Sequence, residues 1–266
     1  MTVQLYEDKE TDAALQALAA LSKELPDPYL LVGGWAVYLT VNESYQKEHG
    51  VPYLGSRDID LGFHIDGTCD DETLRTCNYS KAQTVLQNVG YVPHGSFRYL
   101  KIIKKETGEV LTEKEASKFP QYEVFYLYVD MMVDNIHPNH KQYFKIEPLD
   151  EPLIARVFSE RCGISKIING ATVMVPPPHI LLATKLKAIP NRTKDDKLWK
   201  DACDIYAIIW HSQSKYRDVL SAVKKDYSEY CEKALEVISS EVIARAANHL
   251  DVDKEAYIEL IEQLKG

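Results

Sequence analysis

The chain predicts an α+β fold, with a small mixed sheet flanked by helices in the N-terminal part and a mostly helical C-terminal part. Three observations carry that prediction. Up to about Pro138, short apolar runs bounded by Gly, Pro and polar residues alternate with stretches of helical spacing. From Pro176-Pro177-Pro178 onward helical periodicity dominates. Between the two, Asn169-Gly170 joins Ile167-Ile168 to Thr172-Val173-Met174-Val175, a two-residue hairpin signal. The expected division is residues 1–150 and 151–266.

The elements follow in order. Thr11 to Leu25 spaces Leu15, Leu18, Ala19 and Leu21 as an amphipathic helix and stops at Pro26. Tyr29-Leu30-Leu31-Val32 is a short buried strand, Gly33-Gly34 a turn, and Trp35 to about Glu48 a helix leaving the glycines. Gly55 to Ile65 is a strand, Ser80 to Asn88 a helix ending at Gly90, and Phe97 to Lys104 a strand followed by a polar turn at Glu106-Thr107-Gly108-Glu109. Tyr122 to Val133 is a long strand of β-branched and aromatic residues. After the hairpin, a helix opens at His179, with helical breaks near Pro190-Asn191 and His211-Ser212.

Composition narrows the class. A hydrophobic content of 45% is ordinary for a globular chain, and the longest apolar runs, such as Ile205 to Trp210, fall far short of the roughly 20 residues that span a bilayer. Residues Met1 to Asp8 lack the basic and apolar regions of a signal peptide, so a cytoplasmic location is expected. Five cysteines without a CxxC pair read as reduced thiols. The net charge of -9 lies wholly in residues 1–150, with 14 Lys/Arg against 23 Asp/Glu, which disfavours broad nonspecific nucleic-acid binding.

That acidic half holds the chemistry. Asp58-Ile59-Asp60 sits in a strand, so both carboxylates project from one side, about 7 Å apart. Two such carboxylates repel unless a cation lies between them, and paired magnesium ions about 3.5 to 4 Å apart are a usual occupant. A later strand ends in Val129-Asp130, with Asp134 four residues on, expected on the same strand face, as the alternative third acid.

Strand, Gly-Gly, helix, strand with Asp-x-Asp and a later strand with a third Asp together resemble the nucleotidyltransferase superfamily related to polymerase beta. Gly33-Gly34-Trp35-Ala36-Val37 and Arg57-Asp58-Ile59-Asp60-Leu61 are similar to lincosamide and aminoglycoside nucleotidyltransferases. Downstream, Pro178 to Ala188, then Arg192, then Lys200 to Tyr206, resembles the helical part of AbiEii-type toxin nucleotidyltransferases. Gly34 departs from the serine of many superfamily members, and the 23 residues between Gly34 and Asp58 exceed the usual spacing, with polar Asn42 to Gly50 expected as an inserted lid or surface bulge.

The resemblance implies a catalytic domain over residues 1–150, with NTP as substrate and two Mg2+ ions held by Asp58, Asp60 and Asp130. Asp130 would bind the ion that activates the attacking hydroxyl and accept its proton. Gly33 and Gly34 would let backbone approach the triphosphate, Ser56 and Arg57 would adjoin it, and Lys185 and Lys187 would reach the phosphates, with Asp201 as the remaining family acid. Transfer of NMP to a tRNA end, a protein or a small hydroxyl compound follows, with an antitoxin-like protein as an implied partner and no membrane. The alternative is a noncatalytic nucleotide-binding module acting through a partner.

Other features take plainer readings. His137-Pro138-Asn139-His140 reads as loop rather than metal site, for want of a third ligand. Arg98 and Lys101 alternate badly on a strand, so at most one faces the acids. Tyr122, Phe125, Tyr126 and Tyr128 read as core and sheet surface, and Lys194 and Lys197 as a solvated face.

Overall fold

The computed structural model describes residues 8 to 265, so the leader reading of Met1 to Glu7 lies outside the described residues. Among these, 8–35 and 55–175 form one compact unit, and 36–54 and 176–265 form a second. The cut near residue 150 thus moves to 175, and a middle segment joins the C-terminal helices. The hairpin explains the later cut: its second strand packs on the first strand of the sheet unit.

The sheet unit begins with α1 (Asp8–Leu21), whose Ala14, Leu18, Ala19 and Leu21 are buried. Then come β1 (Leu30–Val32), the first turn of α2 (Gly33–His49), and β2 (Asp58–Phe63). Next are α3 (Asp71–Thr76), α4 (Asn78–Asn88), β3 (Val92–His94), β4 (Arg98–Lys104), β5 (Val110–Leu111), α5 (Glu113–Ala116) and β6 (Val124–Val133). Short α6 (His140–Tyr143), β7 (Leu149–Asp150) and α7 (Ala155–Ser159) lead to the hairpin of β8 (Ile164–Ile168) and β9 (Ala171–Val175).

The main sheet runs β1-β2-β6-β4-β3, with β5 on β4 and β7 on β6. It is mixed as expected: β2 and β6 are parallel, while β1 with β2, and β4 with both β6 and β3, are antiparallel. One face is core. Ile59, Leu61, Phe63, Val129, Met131 and Tyr99 are fully buried there, each large side chain contributing about 1.5 to 3 kcal/mol. The hairpin turns on Asn169 (φ 45°) and Gly170 (φ 79°), the two left-handed residues of a type I′ turn.

The helical unit contains most of α2 followed by α8 (Pro178–Ala188), α9 (Asp195–His211), α10 (Tyr216–Val237), α11 (Ser240–Leu250) and α12 (Lys254–Glu262). The helix expected from Trp35 to about Glu48 is present, α2 running to His49, so the polar stretch from Asn42 is helix and not an inserted loop: Val37, Val41 and Tyr45 recur every four residues on one buried face while the polar residues take the outer face. Ser239 and Asp253 cap α11 and α12 by accepting from the Val242 and Ala256 amides. No described helix is long and apolar enough to cross a membrane.

Candidate functional site

Burial on β2 alternates: Ile59 and Leu61 go into the core, so Asp58 and Asp60, both half-buried, share the opposite face. The parallel register of β2 on β6 sets Asp60 opposite Asp130 and Asp58 opposite Tyr128. Three carboxylates from two adjacent strands therefore lie on one face of the sheet, as expected from the sequence.

Gly33 closes this cluster from the side. It has φ +63°, and a Cβ built on it would stand 1.8 Å from Asp60 Oδ2. The carboxylate occupies the space a side chain would need. Gly34 is similarly tight, its Cβ falling 2.9 Å from Ser56 Cβ and Oγ. Ser56, buried, donates its hydroxyl to the Asp58 carbonyl at 3.1 Å and so shapes the entry to β2. Arg57 is exposed, with Nη1 3.8 Å from Glu10 Oε2. Beside Asp58 a cavity of about 180 Å³ is lined by Arg57, Gln121, Tyr126 and Tyr128 among others.

Arg98 completes the face, and sequence reasoning left it undecided against Lys101. The antiparallel register puts Arg98 directly across from Asp130, and its Nε and Nη2 donate to Oδ1 and Oδ2 at 2.9 and 2.7 Å. The guanidinium also lies over the Tyr128 ring at 4.8 Å. Burial would favour losing its proton, but the bonds and charge of Asp130 outweigh that and raise its pKa. Lys101 projects to the other face and donates to the Val89 carbonyl. Tyr126 and Tyr128 pack on a small core of Leu100, Ile102, Leu111, Ala116 and Val124, matching the expectation of sheet surface, while Tyr122 is exposed.

Asp134 lies just past the strand that carries Asp130. The strand ends at Val133, and the Asp134 carboxylate accepts from the Ile65 amide at 2.9 Å and meets His64 Nδ1 at 2.5 Å. His137 is likewise committed: Nδ1 accepts from the Asn139 amide and Nε2 contacts the Cys69 carbonyl. His137 lies in a loop, but it is buried where a solvent-facing residue was expected.

Lys185, Lys187 and Asp201 belong to the helical unit. The expectation that Lys185 offers a charge to phosphate meets a different arrangement, since it is buried with Nζ 2.8 Å from Asp201 Oδ1 and 2.7 Å from Asp204 Oδ2. Asp201 does not follow Lys185 along one helix; the break at Ile189–Asn191 folds α9 back on α8 and brings the two together. Arg192 Nε reaches Asp201 Oδ2 at 2.5 Å, Lys200 bonds Asp204, and Tyr53 donates to Asp204 Oδ1 at 2.7 Å. Burial would raise the Asp204 pKa, but Lys185 and Lys200 prevail and lower it. Burial likewise opposes the Lys185 charge, and Asp201 and Asp204 overcome it, so its pKa is raised. Lys187 is half-buried and Lys194 exposed.

The acidic face offers oxygen donors only, the set that hard divalent cations take. No family model matches the chain, and no curated protein matches it. Among solved structures, an antigenic nucleotidyltransferase-like protein from Paracoccidioides brasiliensis is similar with a TM-score of 0.45 and 14% identity, covering 84% of this chain and 93% of that chain.

Proposed function

We propose that the chain is a metal-dependent nucleotidyltransferase that moves an NMP from an NTP to a hydroxyl acceptor with release of pyrophosphate. One observation carries the reading: Asp58, Asp60 and Asp130 share one sheet face, with the Gly33 backbone pressed against the Asp60 carboxylate. Asp58, Asp60 and Asp130 would hold two Mg2+ ions, which supply charge neutralisation of the triphosphate and lower the pKa of the acceptor hydroxyl. Gly33 and Gly34 leave backbone, rather than side chains, beside the acids. Asp130, once Arg98 releases it, accepts the acceptor proton at a carboxylate oxygen. The acceptor oxygen then bonds the α-phosphorus as the bond from that phosphorus to the β-bridging oxygen breaks, and pyrophosphate leaves with that electron pair. Arg57 and Ser56 border the nucleotide in this reading. Lys185 and Asp201, buried against each other, act as framework for the helical unit and not as phosphate ligands.

A second reading, a noncatalytic nucleotide-binding module, is favoured by the Arg98–Asp130 pair, which already neutralises the third acid. One experiment separates them. The chain is incubated with each α-labelled NTP and Mg2+, with total tRNA, protein extract or a panel of small hydroxyl compounds as acceptor. Transfer of label that Asp60→Asn abolishes supports the enzyme. Nucleotide binding without transfer to any acceptor supports the module, and no binding of any NTP sinks both.

A further inference from the structure

In the helical unit, Glu48 and His49 end α2 and His211 ends α9. One potential ligand atom from each lies within 4.8 Å of the other two. His211 is fully buried, His49 half-buried and Glu48 exposed, so the cluster has a closed floor and an open edge. His49 Nε2 is buried, has no hydrogen-bond partner, and lies 3.9 Å from Glu48 Oε1. His211 Nδ1 is 3.9 Å from Glu48 Oε2 and 3.4 Å from Ser44 Oγ, while its buried Nε2 has no hydrogen-bond partner. A separation of 3.9 Å is too long for a hydrogen bond, yet near the roughly 3.4 Å between two ligands of a tetrahedral ion at about 2.1 Å.

The rings are held in place. Tyr45 stacks on His49 at 4.3 Å between centroids and meets His211 edge-on at 5.1 Å, and the two imidazoles are 5.5 Å apart. All three residues sit in last turns, where the negative end of the helix dipole favours a cation. Leaving the buried His49 Nε2 without a partner is unfavourable, and an ion shared with the Glu48 carboxylate would relieve it. Two imidazoles and one carboxylate suit a borderline divalent cation of the zinc class, whereas magnesium prefers oxygen ligands.

We propose that Glu48, His49 and His211 form a binding site for one zinc-class cation, with a fourth position open to water, that ties the end of α2 to the end of α9. The site is separate in residues and in donor chemistry from the acidic strand face.

The test uses the full chain stripped by chelator, with excess Mg2+ present to occupy carboxylate sites. Zn2+ is titrated by calorimetry, and Co2+ by visible absorption. The expected result is one equivalent bound, tetrahedral cobalt bands without a thiolate charge-transfer band, and a melting temperature raised by a few degrees with Zn2+. Glu48→Gln and His49→Gln, at the less buried positions and with unchanged circular dichroism, should each weaken Zn2+ at least about tenfold, while Asp60→Asn leaves it intact. Absence of binding, binding unchanged in both variants, or a thiolate band marking the cysteines as ligands would each overturn the proposal.

Discussion

Arg98 and Asp130 form a two-pronged ion pair across β4 and β6, so the third acid of the strand face already meets a fixed cation. A divalent ion at Asp130 must compete with a guanidinium that is only a quarter exposed. The pair is a built-in counterweight to carboxylate repulsion, which would otherwise destabilise three acids on one face.

Replacing Arg98 therefore separates stability from metal affinity. Arg98→Gln leaves Asp130 uncompensated and should cost about 1 to 3 kcal/mol without metal. Mg2+ should recover more of that loss than it adds to the unmodified chain. Melting curves with and without Mg2+ check this, and equal Mg2+ increments in both proteins would refute the competition.

The two candidate third acids are distinguished by their surroundings. Asp130→Asn should slow nucleotidyl transfer by about a thousandfold or more, since it removes several kcal/mol of transition-state stabilisation. Asp134→Asn should leave transfer nearly unchanged, while losing part of its bonding to His64 and lowering stability. Transfer lost only in the Asp134 variant would mean that Asp130 has no catalytic role.

Gly33 and Gly108 offer a matched pair. Both have positive φ, but a Cβ at Gly108 meets nothing within 4 Å, whereas at Gly33 it collides with Asp60. Gly108→Ala should cost about 1 to 2 kcal/mol, the left-handed penalty alone. Gly33→Ala should cost more and should abolish transfer by displacing Asp60. Urea titration and label transfer measure the two effects, and similar behaviour of the two variants would contradict the close packing.

Lys185 sits inside a charge network, so its replacement is a stability experiment. Lys185→Met removes the cation that Asp201 and Asp204 share, leaving Arg192 and Lys200 to compensate them, and should cost about 1 to 3 kcal/mol. The pH dependence follows from Asp204. Its folded pKa is lowered, so below the usual carboxylate range the unfolded chain binds more protons and stability falls with falling pH. Its contribution is full above about pH 4 and is lost as pH drops toward the folded value. Asp204→Asn should show a lower plateau and a shallower acid slope in urea titrations between about pH 2 and 4. An unchanged slope would show that Asp204 is not the titrating group.

Local chemistry made much of the molecule legible. Period-two alternation placed Asp58 and Asp60 on one face, because Ile59 and Leu61 had to enter the core. Asn169-Gly170 announced its hairpin through the left-handed conformations such a turn requires. Pairing between distant segments was not readable this way. Whether Arg98 or Lys101 faces Asp130 depends on the register of β4 on β6, and a one-residue slip would turn Arg98 away from the acidic face. Lys185 looked like an available cation because nothing near it in sequence neutralises it; the fold of α9 onto α8 brings Asp201 and Asp204 to its ammonium and buries all three. The helix from Trp35 to about Glu48 was readable, but the partners of its buried face were not, since they lie in the C-terminal helices more than a hundred residues away. Periodicity reports which face of an element is apolar, whereas the partner of a charged group is set by contacts that close long loops, and no local pattern records them.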